Sequence, residues 1–371
     1  MKNVLIYGVY DFDNLGDDYM VAVIDEYLKS KKINPIYINN STINNYFNLA
    51  IKREFELPFN KKYKNKIIKL FEIMKWYFHK NNIKNIDSLI FMGGGYTSES
   101  FGTRNLLNLL LLCKKFKSKK IFFTGQTVGP VYKRLNMYLI KKIYKSGSAI
   151  FVRETKSQKF LASLGIKSKL VGDDAFLTNY CVKRDKAKDY IVYNYKDFKT
   201  YENYKKEYFK ILLRFAKEKK MKVLVIPFRS SKGADEYKCN YELYTFLKSN
   251  GINTEFVVEK SINNFQEILS NSKIVIGTAY HSIVLGLIFN NKVFSYYNGK
   301  YYKQKIEGIL DWFNLSKTNC EPMNNILSSY NKMCSSIEQL DIKSNEKIVK
   351  NIHTNVTKTW DYIIKCIIEN K

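Results

Sequence analysis

A histidine, two arginines, a pair of adjacent aspartates and a run of three glycines stand at the ends of short apolar runs in this chain, where chemistry is easiest to build. His281 closes the segment Gly277-Thr278-Ala279-Tyr280-His281, directly after the apolar run Lys273–Ile276 and ahead of a helical pattern. An imidazole titrates near neutral pH, so His281 suits proton transfer. Arg153 ends the run Ala149–Val152. An arginine closing a buried strand is costly without an anionic partner, so it is either an anion ligand or half of an ion pair with Glu154, Asp173 or Asp174. Arg229, after Pro227-Phe228, has a similar position. Gly93-Gly94-Gly95 lets backbone approach a ligand without Cβ obstruction, and equally suits any tight turn. Asn14-Leu15-Gly16-Asp17 precedes a helical pattern. Its amides can hold an anion at the helix N-terminus while Asp17 caps that helix, or the segment does nothing but cap. It is not a dinucleotide fingerprint, because the G-x-G-x-x-G spacing is absent.

These groups need strands behind them. The segments follow or end five runs that read as buried strands: Val4–Val9, Ser88–Met92, Lys120–Thr124, Ala149–Val152 and Lys273–Ile276. Strand and helix patterns alternate nearly throughout, which predicts parallel sheets covered by helices on both faces, with ligands at the carboxyl ends of strands. At 371 residues the chain is too long for one ordinary core. The expected organisation is two Rossmann-like, doubly wound α/β domains facing a cleft, residues 1–182 and 190–320. The polar stretch Cys181–Asp189 serves as linker. A helical extension, residues 321–371, ends in a helix at about Ser344–Asn370 that crosses back to brace the first domain.

Composition narrows the function classes. No run approaches the roughly 18 apolar residues of a spanning helix, and Met1-Lys2-Asn3-Val4-Leu5-Ile6 runs straight into a strand without a cleavage site. The protein is expected to be cytoplasmic. Six scattered cysteines and three distant histidines show no metal-ligand spacing, so reduced thiols and no metal are expected. The formal charge of +28 invites a nucleic-acid reading, but only seven of the 62 basic residues are arginine and no nucleic-acid motif accompanies them. No nucleic-acid partner is expected. The charge should instead draw in anionic small molecules or an anionic membrane surface. Residues 61–80 form an amphipathic helix, with Ile67, Leu70, Phe71, Met74, Tyr77 and Phe78 on one side of the wheel and Lys62, Lys69, Lys75 and Lys80 away from it. One reading packs that apolar stripe on the first domain. The other lays it on anionic lipid.

In order and spacing the five segments resemble the polysaccharide pyruvyl transferase family, from about residue 1 to about residue 300. The resemblance implies two facing domains in the GT-B arrangement, no cofactor, and phosphoenolpyruvate as donor substrate. The enolpyruvyl unit would move onto sugar hydroxyls of a surface glycan or its lipid-linked precursor, at the inner face of the cell membrane. It implies that His281 handles protons and phosphate, with Arg153 as fixed charge. It further implies that Asp174 orients Arg153 or deprotonates an acceptor hydroxyl. Asn14, Gly16, Asp17, Gly93, Gly94, Gly95, Gln126, Arg229 and Lys300 would bind substrate. Gln126 belongs to Gly125-Gln126-Thr127-Val128-Gly129-Pro130, and Lys300 to Tyr297-Asn298-Gly299-Lys300. The family commonly carries an arginine two residues before the histidine, where this chain has Ala279. Arg229 is placed to replace it. The rival readings are a GT-B glycosyltransferase using a nucleotide sugar and a catalytically silent glycan- or phosphate-binding protein.

Overall fold

A computed structural model describes residues 1–10, 13–39, 46–47, 51, 53–57, 66–78, 83–178, 189–196 and 202–369. The linker expected at 181–189 lies outside them except for Asp189, as do Lys62 and Lys80 of the amphipathic segment. The first half runs β1 (Lys2–Tyr7), α1 (Leu15–Ser30), β2 (Ile33–Asn39), β3 (Arg53–Glu56), α2 (Lys66–Phe78), β4 (Ser88–Phe91) and β5 (Gly94–Thr97). It continues with α3 (Gly102–Lys115), β6 (Lys120–Val128), α4 (Arg134–Lys145), β7 (Ala149–Val152), α5 (Thr155–Ser163) and β8 (Lys169–Leu170). The second half runs β9 (Tyr190–Asn194), α6 (Glu202–Lys219), β10 (Lys222–Val225), α7 (Asp235–Ser249), β11 (Thr254–Phe256), α8 (Ile262–Asn271) and β12 (Ser272–Gly277). Then come α9 (Tyr280–Ile288), β13 (Lys292–Tyr297), α10 (Gly299–Asp311), β14 (Cys320–Pro322), α11 (Tyr330–Gln339) and α12 (Ile342–Ile368).

Among the described residues there are two sheets. The first has the order β3-β2-β1-β4-β6-β7-β8 with β5 also paired to β6, and the second has the order β11-β10-β9-β12-β13-β14. Every pairing is parallel. In each sheet the order reverses beside the first strand, β1 or β9, so each carries its own switch-point crevice. Central strands such as Ser88–Phe91 are buried at all four positions, as parallel strands covered on both faces must be.

The halves meet through continuous packing. One apolar cluster runs from Val4, Leu5 and Ile6 of β1 through Ile283 and Leu287 of α9 to Val275 of β12, while the far face of the second sheet has its own cluster. All nine residues of α9 are buried, which suits a helix enclosed on every side. Hydrogen bonds add register. Both carboxylate oxygens of Asp13 accept backbone N–H groups from Ser230 and Ser231, and Leu15 N donates to Phe228 O. α12 returns to the first half, where Trp360, fully buried, donates from Nε1 to Asp174 Oδ1 at 3.0 Å. Lys120 Nζ donates to Cys366 O near the end of that helix.

The structure adds to three sequence expectations. The extension expected from residue 321 starts within β14, which pairs with β13, and carries α11 ahead of the final helix. The N-cap of α1 is Asn14, whose side chain accepts from Gly16 N, so Asp17 does not cap the helix but sits in its first turn. On the expected apolar stripe of α2, Phe71, Met74 and Phe78 are exposed and Tyr77 is half-buried. Ile73 and Trp76 reach the core, while Ile68 is exposed as well.

Candidate functional site

The carboxyl ends of both sheets face one cavity of about 720 Å³ between the halves. β1 and the turn into α1 deliver Asn14 and Asp17, β5 delivers Gly94 and Gly95, and β7 delivers Arg153. From the second half come Lys196 after β9, Arg229 and Phe228 after β10, Ala279 and His281 at the start of α9, and Lys300 and Lys305 from α10.

Arg153 makes the ion pair its position allows and keeps one donor over. Its Nε donates to Thr127 Oγ1 at 2.7 Å, and its Nη1 pairs with Asp173 Oδ2 at 2.5 Å. The guanidinium lies over the Tyr280 ring, 4.4 Å from the centroid. Nη2 is buried without a hydrogen-bond partner. Burial alone would disfavour its charge, but Tyr280, Asp173 and Glu154 more than offset that. One face of the guanidinium is therefore spent on the fold and one donor is left over at the cavity.

His281 is 6% exposed and its Nε2 likewise has no partner. Burial, with Lys305, Arg153 and Lys196 adding repulsion against Asp173, pushes its pKa down to about 3. The expectation that it titrates near neutrality is corrected: in this field the ring is neutral, and an anion arriving beside it favours the charged form. The ring has room only because residue 16 has no side chain, since a Cβ there would collide with three atoms of His281. The N-terminal motif and the histidine are thus one packing unit.

Three of the cavity's other titratable groups, Asp17, Glu236 and Lys305, are drawn toward neutrality from both directions. Burial raises the Asp17 carboxyl above its ordinary value, with Lys305 and Arg153 opposing the rise. Burial lowers the Lys305 ammonium, with Arg153 lowering it further and Asp17 opposing. Lys305 Nζ lies 4.5 Å from the centroid of the Tyr280 ring, next to Ala279 in sequence. Burial also raises Glu236, against Lys196 and Arg229. Lys196 is raised, because Glu236 and Tyr302 outweigh its burial. A carboxyl raised toward neutrality and an ammonium lowered toward it are what general acid–base chemistry needs near pH 7.

Several expected site residues are placed elsewhere. Gln126 is fully buried, and its amide donates to Phe91 O, Met92 O, Thr124 O and the Tyr96 hydroxyl, so it braces β4 against β6 and is not part of the cavity wall. Asp174 also points away: Oδ2 accepts from Gly93 N at 2.7 Å and Thr124 Oγ1 at 2.6 Å, and Oδ1 accepts from Trp360. Burial lifts its pKa to about 6. The carboxylate orienting Arg153 is Asp173. Gly93 spends its amide on Asp174 and Gly16 spends its own on Asn14, leaving neither to a ligand. Gly95 gives space to the Tyr301 hydroxyl from the opposite half. Lys300 and Arg229 are exposed at the cavity wall.

Sequence reasoning missed Lys196, Lys305 and Glu236. Lys196 was within reach of the strand-end rule that found Arg153, because it lies two residues beyond β9. Lys305 follows Tyr301 by four positions on α10, the spacing that stacks two side chains on one helix face. Among the described residues there is no cluster of histidine, cysteine and acidic groups able to hold a metal ion, and no helix long and apolar enough to cross a membrane.

Comparison with known proteins gives a family and a fold. The family model for polysaccharide pyruvyl transferase matches residues 14–300. No curated protein matches the chain. Among solved structures, the S. aureus MnaA–UDP co-structure is similar over 100% of this chain and 97% of its own, with 13% identity and TM-score 0.61. UDP-GlcNAc 2-epimerase from Neisseria meningitidis, bound to UDP-GlcNAc, is similar over 100% of both chains, at 13% identity and TM-score 0.58. A glycosyltransferase from Rickettsia africae is similar over 100% and 99%, at 17% identity and TM-score 0.56. These neighbours share the GT-B fold of two facing parallel α/β units.

Proposed function

This chain belongs to the polysaccharide pyruvyl transferase family, and we propose that it moves the enolpyruvyl unit of phosphoenolpyruvate onto two hydroxyls of one sugar, in a surface glycan or its lipid-linked precursor. What supports the reading is one cavity in which two buried nitrogens without partners, the donor Arg153 Nη2 and the ring atom His281 Nε2, stand among Lys196, Arg229, Lys300 and Lys305. A donor carrying both phosphate and carboxylate needs several cations and N–H groups at close quarters. Lys305 supplies the charge that Ala279 lacks.

The proton steps follow from the pKa directions. Burial raises Asp17 toward neutrality, and its protonated fraction, far larger than an ordinary aspartate keeps, delivers a proton to the methylene carbon of the donor, making a methyl group and an oxocarbenium-like centre at C2. The first sugar hydroxyl attacks C2 and yields its proton to neutral His281 at Nε2. The C2–O bond to phosphate breaks. The second hydroxyl attacks in turn, closing a cyclic ketal. His281 passes the first hydroxyl's proton to the departing phosphate and the second hydroxyl's proton restores Asp17, so the sum is phosphoenolpyruvate plus diol giving ketal plus inorganic phosphate. Arg153 and Lys305 stabilise the negative charge that builds on the departing phosphate.

Incubation with phosphoenolpyruvate and glycan acceptors, with release of inorganic phosphate as readout, tests this. Phosphate release that depends on an acceptor supports it. Two of the structural neighbours were solved with UDP or UDP-GlcNAc, so a nucleotide-sugar donor is the second reading. Release of UDP from a UDP-sugar, with phosphoenolpyruvate inert, sinks the first.

A further inference from the structure

The steps β3 to β4, β4 to β6 and β6 to β7 all travel the same way across the first sheet. Right-handed crossovers therefore put α2, α3 and α4 on one face of it. Side-chain contacts agree. Lys115 Nζ on α3 donates to Trp76 O and Tyr77 O of α2, and Thr103 on α3 bonds Asn136 on α4.

That helical layer has an unusual outer surface. On α2, Ile68, Phe71, Met74 and Phe78 recur at intervals of three and four and form one exposed stripe, with Phe71 at 65% and Phe78 at 72%. On α4, Leu135 and Tyr138 are more than half exposed. Phe101 and Tyr132 are exposed as well, and both also line the cavity, so the apolar surface reaches its mouth. Soluble surfaces rarely gather so many large apolar side chains without a partner.

The charge on the same layer names the partner. α3 and α4 together carry seven lysines and arginines and no aspartate or glutamate, and Glu72 is the only acid on α2. A second copy of this chain would set like charges against each other across a symmetric contact. A nucleic acid would match the cations but leave the aromatic stripe in water. An anionic lipid surface satisfies both, taking the apolar side chains among the acyl chains and the cations among the headgroups.

We propose that the α2–α3–α4 face rests on an anionic phospholipid bilayer and holds the mouth of the cavity at the membrane surface. Docking stands independently of the donor chemistry. Sedimentation of the full chain with vesicles tests it, using phosphatidylcholine alone against phosphatidylcholine mixed with phosphatidylglycerol. The chain should pellet with the mixed vesicles and stay in solution with the neutral ones, and rising salt should weaken the binding. The pair Phe71→Ser and Phe78→Ser should lower partitioning about tenfold or more, because two aromatic anchors are lost. Lys142→Gln and Lys145→Gln together should lower it by roughly fivefold per cation removed. Both variants should keep the wild-type thermal midpoint and turn over a water-soluble acceptor normally, which separates failed docking from failed chemistry. Wild type that stays in solution with anionic vesicles overturns the proposal. So do variants that pellet like wild type, or a dimer in light scattering that the phenylalanine changes dissolve.

Discussion

Placing one methyl group on Gly16 tests whether the N-terminal motif and the histidine act as a unit. Gly16 lies in the first turn of α1, and a Cβ built there falls within 3.0 Å of Nδ1, Cγ and Cβ of His281. Real Cβ atoms do not tolerate such separations, and the imidazole is buried, so the ring must move. Overpacking of this kind costs about 1–3 kcal/mol, against which alanine regains roughly 0.5–1 kcal/mol over glycine inside a helix. Gly16→Ala should therefore destabilise by about 1–2 kcal/mol in denaturant unfolding. Displacing His281 Nε2 by about 1 Å should lower kcat/KM about a hundredfold. The decisive arm is the background. All three colliding atoms belong to the His281 side chain, so in His281→Gly the same methyl is relieved of all three collisions. There Gly16→Ala should cost nothing, or stabilise by up to about 1 kcal/mol. An equal cost in both backgrounds, or a Gly16→Ala enzyme with normal turnover, refutes the coupling.

Burial lowers Lys305, so its cationic form is lost as pH rises through the shifted value; kcat/KM should show an alkaline limb near neutrality that Lys305→Arg moves upward, and an unmoved limb would exclude Lys305. Asp17 is raised in the fold, so its ionised form opposes folding and wild type loses stability as pH climbs through the raised value. Asp17→Asn should remove that slope, seen as a flatter thermal midpoint between about pH 4 and 6, while cutting turnover about a hundredfold or more. Asp174→Asn would turn an amide donor toward Gly93 N, Thr124 or Trp360 and should destabilise by about 1–3 kcal/mol, with phosphoenolpyruvate affinity in calorimetry unchanged. Ala279→Arg adds a cation beside Lys305 and should tighten phosphoenolpyruvate binding up to about tenfold; weaker binding by the folded variant would show that Lys305 already occupies that place.

The architecture was legible because it rests on repeated local signals. Apolar runs such as Ser88–Phe91 and Ile274–Ile276 announce parallel strands, and polar residues collected at their ends announce the cleft. Side-chain direction within the motifs was not legible. Asp173 and Asp174 are neighbours, yet one faces Arg153 and the other faces β4 and Trp360, and only the turn after β8 decides which. Gln126 looked like a ligand group because it sits beside glycines at a strand end. It is taken up by four donations into the sheet, a demand set by the carbonyls of Phe91 and Met92 thirty-odd residues away. The stripe on α2 was found and its two readings stayed open, since periodicity gives an amphipathic face and says nothing of which face has a partner.

Lys305 shows where composition hides chemistry. The chain has 62 basic residues, and each lysine by default is a solvated charge. What separates Lys305 from the rest is desolvation, which depends on α10 closing over the first half. Gln304 Nε2 donates to Val128 O, Trp312 Nε1 donates to Arg153 O, and Gly308 packs against Glu154. Those contacts bury the helix face that carries Tyr301 and Lys305, and burial lowers the lysine. The same closure places Lys305 in the field of Asp17, a residue from the far end of the chain, and brings both groups toward neutrality. A proton-active pair therefore arises from the docking of two halves whose individual sequences carry an ordinary aspartate and an ordinary lysine. Altering the dock should detune the chemistry before it unfolds the protein. Gly308→Ala sets a Cβ against the Glu154 side chain, and it should return the alkaline limb of kcat/KM toward the ordinary lysine range while each sheet stays intact. Retention of the wild-type limb would mean that Lys305 is lowered by its own helix and not by the closure.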